Sequence, residues 1–357
     1  MNMMMMRVFF IVAVMALHAQ GVDIPHVRQL VAKNNVTSIL VFGDSSVDPG
    51  NNNHLATTNK GNFPPYGKDF LNGSHPTGRF TNGRLATDFI AEAIGYTKII
   101  PGFLDPHMKK ADLLHGVSFA SAGSGYDDLT ANLTTVLSVA QQLKYFMHYK
   151  IHLREMVGEK RAKEIVSNAI VVLSMGTNDF LQNYYVEPIR SEQYSVEKYQ
   201  KFLISSMFRD VKAMYRLGAR RLVVVGVPPL GCFPLVKTLR DETECDKILN
   251  TVSLSFNSQI IETLATLEAT TGMKTAFVDI YHVILNAIQN PKRYGFAETS
   301  KGCCGSGTLE YGETCRGLST CADPTKYIYW DAVHPTEKMY KIIADEALNS
   351  LINTMFK

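Results

Sequence analysis

Ser38–Asn53 reads SILVFGDSSVDPGNNN. A short apolar run, Ser38–Phe42, stops at Gly43-Asp44-Ser45, and a second acid, a Pro-Gly pair and three asparagines follow. Gly, Asp and Asn are turn formers, so a turn after a strand accounts for their presence. It does not account for what stands at the ends of four further apolar runs. These are Gly116–Ala120 (GVSFA), Ala169–Ser174 (AIVVLS), Arg221–Gly226 (RLVVVG) and Thr275–Ile280 (TAFVDI). The runs at 169–174 and 221–226 are apolar almost without interruption, the pattern of strands buried on both faces. Helical patterns lie between or after the runs. Asn82–Gly95 and Ser195–Gly218 each end on a glycine, Asp246–Thr271 follows, and Pro335–Met355 places a proline at its first position. Strands alternating with helices predict an α/β fold with a mainly parallel sheet covered on both faces. Gly50–Thr81 is a long irregular insertion, more often functional than idle in a compact domain. No repeat, linker or low-complexity tract divides the chain, so one domain is expected.

In open α/β sheets, ligands bind beyond the C-terminal ends of the strands. Those ends carry Gly43-Asp44-Ser45, then Ser121–Gly125 (SAGSG), then Gly176-Thr177-Asn178-Asp179, then Pro228-Pro229-Leu230-Gly231, and last Trp330–Pro335 (WDAVHP). Together they supply a hydroxyl, glycine N–H groups, a side-chain amide and an Asp/His pair. That inventory suits acyl transfer. A serine hydroxyl is a weak nucleophile until a base takes its proton, and a carboxylate on the other ring nitrogen orients the base. Attack on a carbonyl creates an oxyanion that fixed N–H donors must meet. Each piece alone has an ordinary reading as a turn or a helix cap, and Asp331-x-x-His334 also reads as the start of a helix. The order and the placement at successive strand ends carry the argument. Ser121–Gly125 is neither G-x-G-x-x-G nor a Walker loop, and no G-x-S-x-G nucleophile elbow occurs.

The set resembles the plant GDSL-type esterase/lipase family of the SGNH hydrolases. The blocks that carry the resemblance are VFGDSSVDPGNNN, PYGKDF, PTGRFTNGRLATDFIAEAIG, GVSFASAGSGYDD, VLSMGTNDF, GVPPLGC, KGCCGSG and YIYWDAVHPTEK, spread from about Ser38 to Leu351. The resemblance implies a three-layer α/β/α, flavodoxin-like fold with a five-stranded sheet. It makes Ser45 the nucleophile, His334 the general base and acid, and Asp331 the residue that orients His334. Gly123 and Asn178, with the Ser45 N–H, become the oxyanion hole. Ala122 stands where the family more often has glycine, which leaves Gly123 or Gly125 as the donor, with Gly123 preferred. Asp44 is read as structural, and Asp48 with Asn51–Asn53 as holding the following turn through local bonds.

Lys+Arg of 36 against Asp+Glu of 33 leaves a formal charge of +3, so nucleic acid is not an expected partner. A weakly positive start precedes the apolar run Val8–Leu17, and Ala19-Gln20-Gly21 offers small residues for cleavage. This predicts a secretory signal over residues 1–21 and a hydrolase domain over 22–357; the run is short for a membrane anchor. Six cysteines, an even number, agree with secretion: Cys232, Cys245, Cys303, Cys304, Cys315 and Cys321. The expected pairs are Cys232–Cys245, Cys303–Cys315 and Cys304–Cys321. Asn35, Asn72 and Asn132 head glycosylation triplets. No metal and no cofactor are expected. The expected substrate is an acyl lipid or an acylated small molecule or polysaccharide. Phe63, Tyr66, Phe70, Phe103 and Tyr126 are candidates to line an acyl groove, the alternative being ordinary core and loop packing. The rival functions are acyl transfer to a sugar or lipid hydroxyl, a vestigial secreted glycoprotein, and a metallohydrolase built on His334 and Asp331.

Overall fold

The apolar runs become five parallel strands: β1 (Ile39–Gly43), β2 (Gly116–Ser118), β3 (Ile170–Ser174), β4 (Arg221–Val225) and β5 (Lys274–Val278). This is a computed structural model, and it describes residues 22–71 and 73–356. The proposed signal segment and Asn72 lie outside the described residues. The strand order is β2-β1-β3-β4-β5, the flavodoxin-like order the resemblance implied. All residues of β1 and β3 are buried, as their unbroken apolar runs require. The last strand ends two residues early because Asp279 caps the next helix, its carboxylate accepting from the His282 N–H.

Seven helices matter for the site. They are α1 (Ile24–Lys33), α2 (Ala86–Ile94), α3 (Val139–Val157), α4 (Val196–Arg216), α5 (Lys247–Thr271), α6 (Ile280–Gln289) and α7 (Glu337–Ser350). α1, α2, α6 and α7 pack together on one face of the sheet; α3, α4 and α5 cover the other. Side-chain caps set their starts: Ser138 for α3, Ser195 for α4, Asp246 for α5 and Thr336 for α7. The helix expected over Pro335–Met355 is present but starts at Glu337: Thr336 is its cap, so Pro335 precedes the helix instead of opening it, and the last turn is widened into a π-helical turn over Leu351–Met355.

The long insertion is tied down by a buried ion pair. Arg79 donates to both carboxylate oxygens of Asp88 at 2.8 and 2.9 Å, and also to the Ile100 carbonyl. A second, two-stranded parallel sheet, β6 (Glu298–Gly302) with β7 (Tyr327–Tyr329), was not legible in the sequence. β7 runs directly into Trp330-Asp331.

Disulfides join Cys232–Cys245, as expected, and Cys303–Cys321 and Cys304–Cys315. The last two correct the expected Cys303–Cys315 and Cys304–Cys321 pairing. Cys304 and Thr320 face each other across an antiparallel bridge, and the Cys321 N–H donates to the Cys303 carbonyl at 2.8 Å. A chain that returns antiparallel puts 303 opposite 321, so the bridges nest instead of crossing.

Candidate active site

The C-terminal end of β1 delivers Ser45 to the sheet edge. Gly43 makes this possible. Its φ is +152°, and a Cβ there would fall 2.2 Å from the Ser174 carbonyl oxygen. Gln142 of α3 clamps the same residue, accepting from its N–H and donating to its carbonyl. Ser45 is half-buried beyond this clamp.

Asp331 and His334 arrive from the end of β7. The Trp330 N–H donates to the His334 carbonyl at 2.7 Å, closing a turn. Inside it, Asp331 Oδ1 accepts from the backbone N–H groups of Val333 and His334. The folded-back carboxylate then meets His334 Nδ1, 2.8 Å from Oδ2 and 3.0 Å from Oδ1. The other ring nitrogen, Nε2, lies 2.8 Å from Ser45 Oγ. Asp331 is fully buried and His334 is 7% exposed, so little water competes for this chain of bonds. The Phe80 ring packs against the imidazole, centroids 4.9 Å apart.

Two backbone donors belong to residues that line the cleft with Ser45 Oγ. Among the described residues, neither the Ser45 N–H nor the Gly123 N–H donates to a protein group. Asn178 Nδ2 donates one hydrogen to the Ser124 carbonyl at 2.9 Å, which orients the amide; its second hydrogen has no acceptor among the described residues. Ser45, Gly123, Asn178 and His334 line one open cleft of about 360 Å³. Gly125 is placed elsewhere. A Cβ there would fall 2.2 Å from Asp179 Oδ1, so its backbone packs on a buried carboxylate.

Asp44 is turned to its own loop, Oδ1 accepting from the Ser46 N–H and hydroxyl; burial pushes its carboxyl up to about 6. Asp48 holds the turn locally, accepting from Gly50 and Asn51 N–H, and also reaches the Ala122 N–H. The asparagines do something other than the expected local bonding. Asn51 donates to the Ser118 and Ala120 carbonyls, Asn52 to those of Asn59 and Ala122, and Asn53 to that of Thr77. Asn51 and Asn52 staple the serine turn to the end of β2 and the segment after it that leads to Gly123, and Asn53 ties it to the long insertion.

The model of the family GDSL-like Lipase/Acylhydrolase matches residues 39–347. A GDSL esterase/lipase of Arabidopsis thaliana is 57% identical over 331 residues, 93% of this chain and 92% of its own length. A second from the same plant is 43% identical over 317 residues, covering 86% and 84%. The chain belongs to the GDSL esterase/lipase family. It is a carboxylic ester hydrolase, and its substrates are esters. Among solved structures, the acetylxylan esterase Axe2 from Geobacillus stearothermophilus is similar at 12% identity and a TM-score of 0.40, covering 88% of this chain and 94% of that one.

Two expectations for this GDSL site are corrected or extended. None of Phe63, Tyr66, Phe70, Phe103 and Tyr126 lines the space beside Ser45. Phe63 and Tyr66 pack with Phe80 in the cluster around the C-terminal disulfides, Phe103 packs on Phe119, and Tyr126 on Phe256. Phe70 is buried beside Arg79. Tyr66 has another place that the sequence did not announce. Its hydroxyl donates to Asp331 Oδ2 at 2.7 Å and accepts from the Gly312 N–H at 2.7 Å. Among the described residues, no group of three His, Cys, Asp or Glu is placed to hold a metal ion, and all six cysteines are in disulfides.

Proposed function

We propose that the protein is a secreted serine esterase that works through an acyl-enzyme on Ser45. The observation that carries the reading is the unbroken run Asp331–His334–Ser45, with both linking distances at 2.8 Å. Asp331 holds the Nδ1 proton in place, so Nε2 presents its lone pair to the Ser45 hydroxyl. Nε2 takes the hydroxyl proton as Oγ bonds to the ester carbonyl carbon. The carbonyl oxygen becomes an oxyanion and meets the Ser45 and Gly123 N–H groups and the second amide hydrogen of Asn178. His334 then gives its proton to the alkoxy oxygen as the carbon–oxygen bond breaks, and the alcohol leaves. Water repeats the sequence on the acyl-enzyme and releases the acid.

Secretion is supported by the apolar N-terminal run, by three disulfides and by exposed Asn35 and Asn132 as glycan acceptors. No helix among the described residues is long and apolar enough to cross a membrane.

Ser45→Ala is expected to lower kcat by roughly 10⁴-fold or more on any ester the protein hydrolyses, with the thermal unfolding midpoint little changed. Labelling by a serine-reactive phosphonate, mapped by mass spectrometry, is expected at Ser45 alone. A folded Ser45→Ala protein that keeps most of its activity would overturn the reading.

A further inference from the structure

A second cavity meets the cleft at the same serine. It is lined at its mouth by Ser45, Asn178, Val333 and His334, the residues it shares with the cleft. From there it runs under the sheet, between β3 and β4 above and α2, α6 and α7 below. Ile170, Val172, Val223, Ile284, Ile343 and Ala347 define its walls. Ile170, Val172 and Ser174 are alternate residues of β3 and so share one face of the sheet. Ser174, at the mouth end, has its hydroxyl paired with that of Ser46. The far end is closed: Ile170 and Ile284 are each 1% exposed and Ala347 is 4% exposed.

The geometry points to a blind tunnel that holds the acyl chain of the substrate, selecting a linear acyl group of about eight to ten carbons. The inference rests on the proposed acyl-enzyme at Ser45 and adds the identity of the acyl group. Two measures set the length. From Ser174 to Ile170 the strand rises about 13 Å, which an extended chain of roughly eight to ten carbons fills. The cavity volume is about 90 Å³. A water needs about 10–15 Å³ of such space, so the tunnel takes roughly six to nine methylene-sized groups in single file. An aryl or branched acyl group is too wide for a file of that kind. Apolar cavities of this sort stay dry and take up hydrocarbon. Each buried methylene is then worth about a fourfold gain in binding.

The order of the reaction says which half of the ester enters. The alcohol leaves first, and water must reach the acyl carbon while the acyl group is still on Ser45. An alcohol lodged in a blind tunnel would be trapped behind the carbonyl it has just left. An alcohol in the open cleft of about 360 Å³ departs directly, and water enters the same way. The acyl group therefore belongs in the tunnel and the alcohol in the cleft.

The test is hydrolysis of p-nitrophenyl esters from acetate to palmitate by the full secreted protein. Expected is a maximum in kcat/KM at octanoate or decanoate, at least tenfold above acetate, with a fall by palmitate. Ala347→Phe, which fills the far end, is expected to cut the decanoate-to-acetate ratio at least tenfold. Ile343→Ala, which widens it, is expected to move the maximum to longer chains, so the idea survives a failure of either variant to fold. A profile that falls steadily from acetate, or folded variants whose ratios match the parent, overturns the tunnel and leaves the serine mechanism standing. If no ester of any length is hydrolysed in a Ser45-dependent way, the mechanism itself is overturned.

Discussion

Asp331 is held from three sides: by the backbone N–H groups of its own turn, by His334, and by Tyr66. The first two were legible because they are local. An Asp three residues before a His, at the start of a helix, needs only one turn to bring carboxylate and ring together. Tyr66 was not legible because it lies 265 positions away in the chain. Burial and the Asp331 charge hold the Tyr66 hydroxyl well above its ordinary pKa, so it stays a donor. Tyr66→Phe removes that bond and leaves the Gly312 N–H without its acceptor. It is expected to lower kcat by roughly tenfold, the worth of one bond to a charged group, with KM changed much less. Steady-state kinetics that show an unchanged kcat would assign Tyr66 to packing alone. Asp331→Asn stabilises the wrong tautomer and is expected to cost roughly 10⁴-fold in kcat. Asp44→Asn, facing Ser46, is expected to leave most of the activity. The reverse ranking would transfer the acid's role to Asp44.

Strand positions were readable because buried parallel strands are runs of apolar, β-branched residues, and little else in the chain looks like them. α3 was not read. Its buried stripe, Val139, Leu143, Phe146, Tyr149 and Leu153, is interleaved with exposed Met147 and Ile151, which blurs the contrast between its faces. The asparagine run was read as turn chemistry, the ordinary local use of that residue. In the fold it does long-range work between elements. Asn51 is buried, donates to two carbonyls, and accepts from the Leu104 N–H at 3.0 Å. Asn53 is half-buried and donates to one carbonyl. Asn51→Ala leaves the Ala120 carbonyl and the Leu104 N–H unpaired, while the Ser118 carbonyl keeps the Phe103 N–H, and is expected to cost about 2–4 kcal/mol in urea denaturation, with Asn53→Ala costing about 1 kcal/mol. Equal losses would mean that Asn51 does not hold β2 against the serine turn.

Taken over the whole molecule, the buried carboxylates set how stability responds to pH. Burial raises Asp44, Asp48 and Asp210 from the ordinary 3.8 to about 6, and Asp179 to about 7. The unfolded chain ionises these groups near 3.8, the folded chain only near 6–7. Between those values the folded state binds more protons, so unfolding free energy falls as pH rises through that window and levels off above it. Asp44, Asp48 and Asp179 accept hydrogen bonds from backbone N–H groups, which offset part of the burial penalty. Asp210, on α4, differs. Its Oδ1 meets Arg209 at 3.2 Å, but Arg209 is 61% exposed and water screens the pair. Its Oδ2 has no partner among the described residues. Asp210→Asn removes the charge while keeping the shape. It is expected to stabilise the protein by about 1–3 kcal/mol at pH 8, the gain shrinking towards zero near pH 4, where the folded carboxyl is already neutral. Urea denaturation at the two pH values reads this directly. A gain of the same size at both would trace the effect to packing, and no gain at pH 8 would mean that the buried charge finds a partner after all.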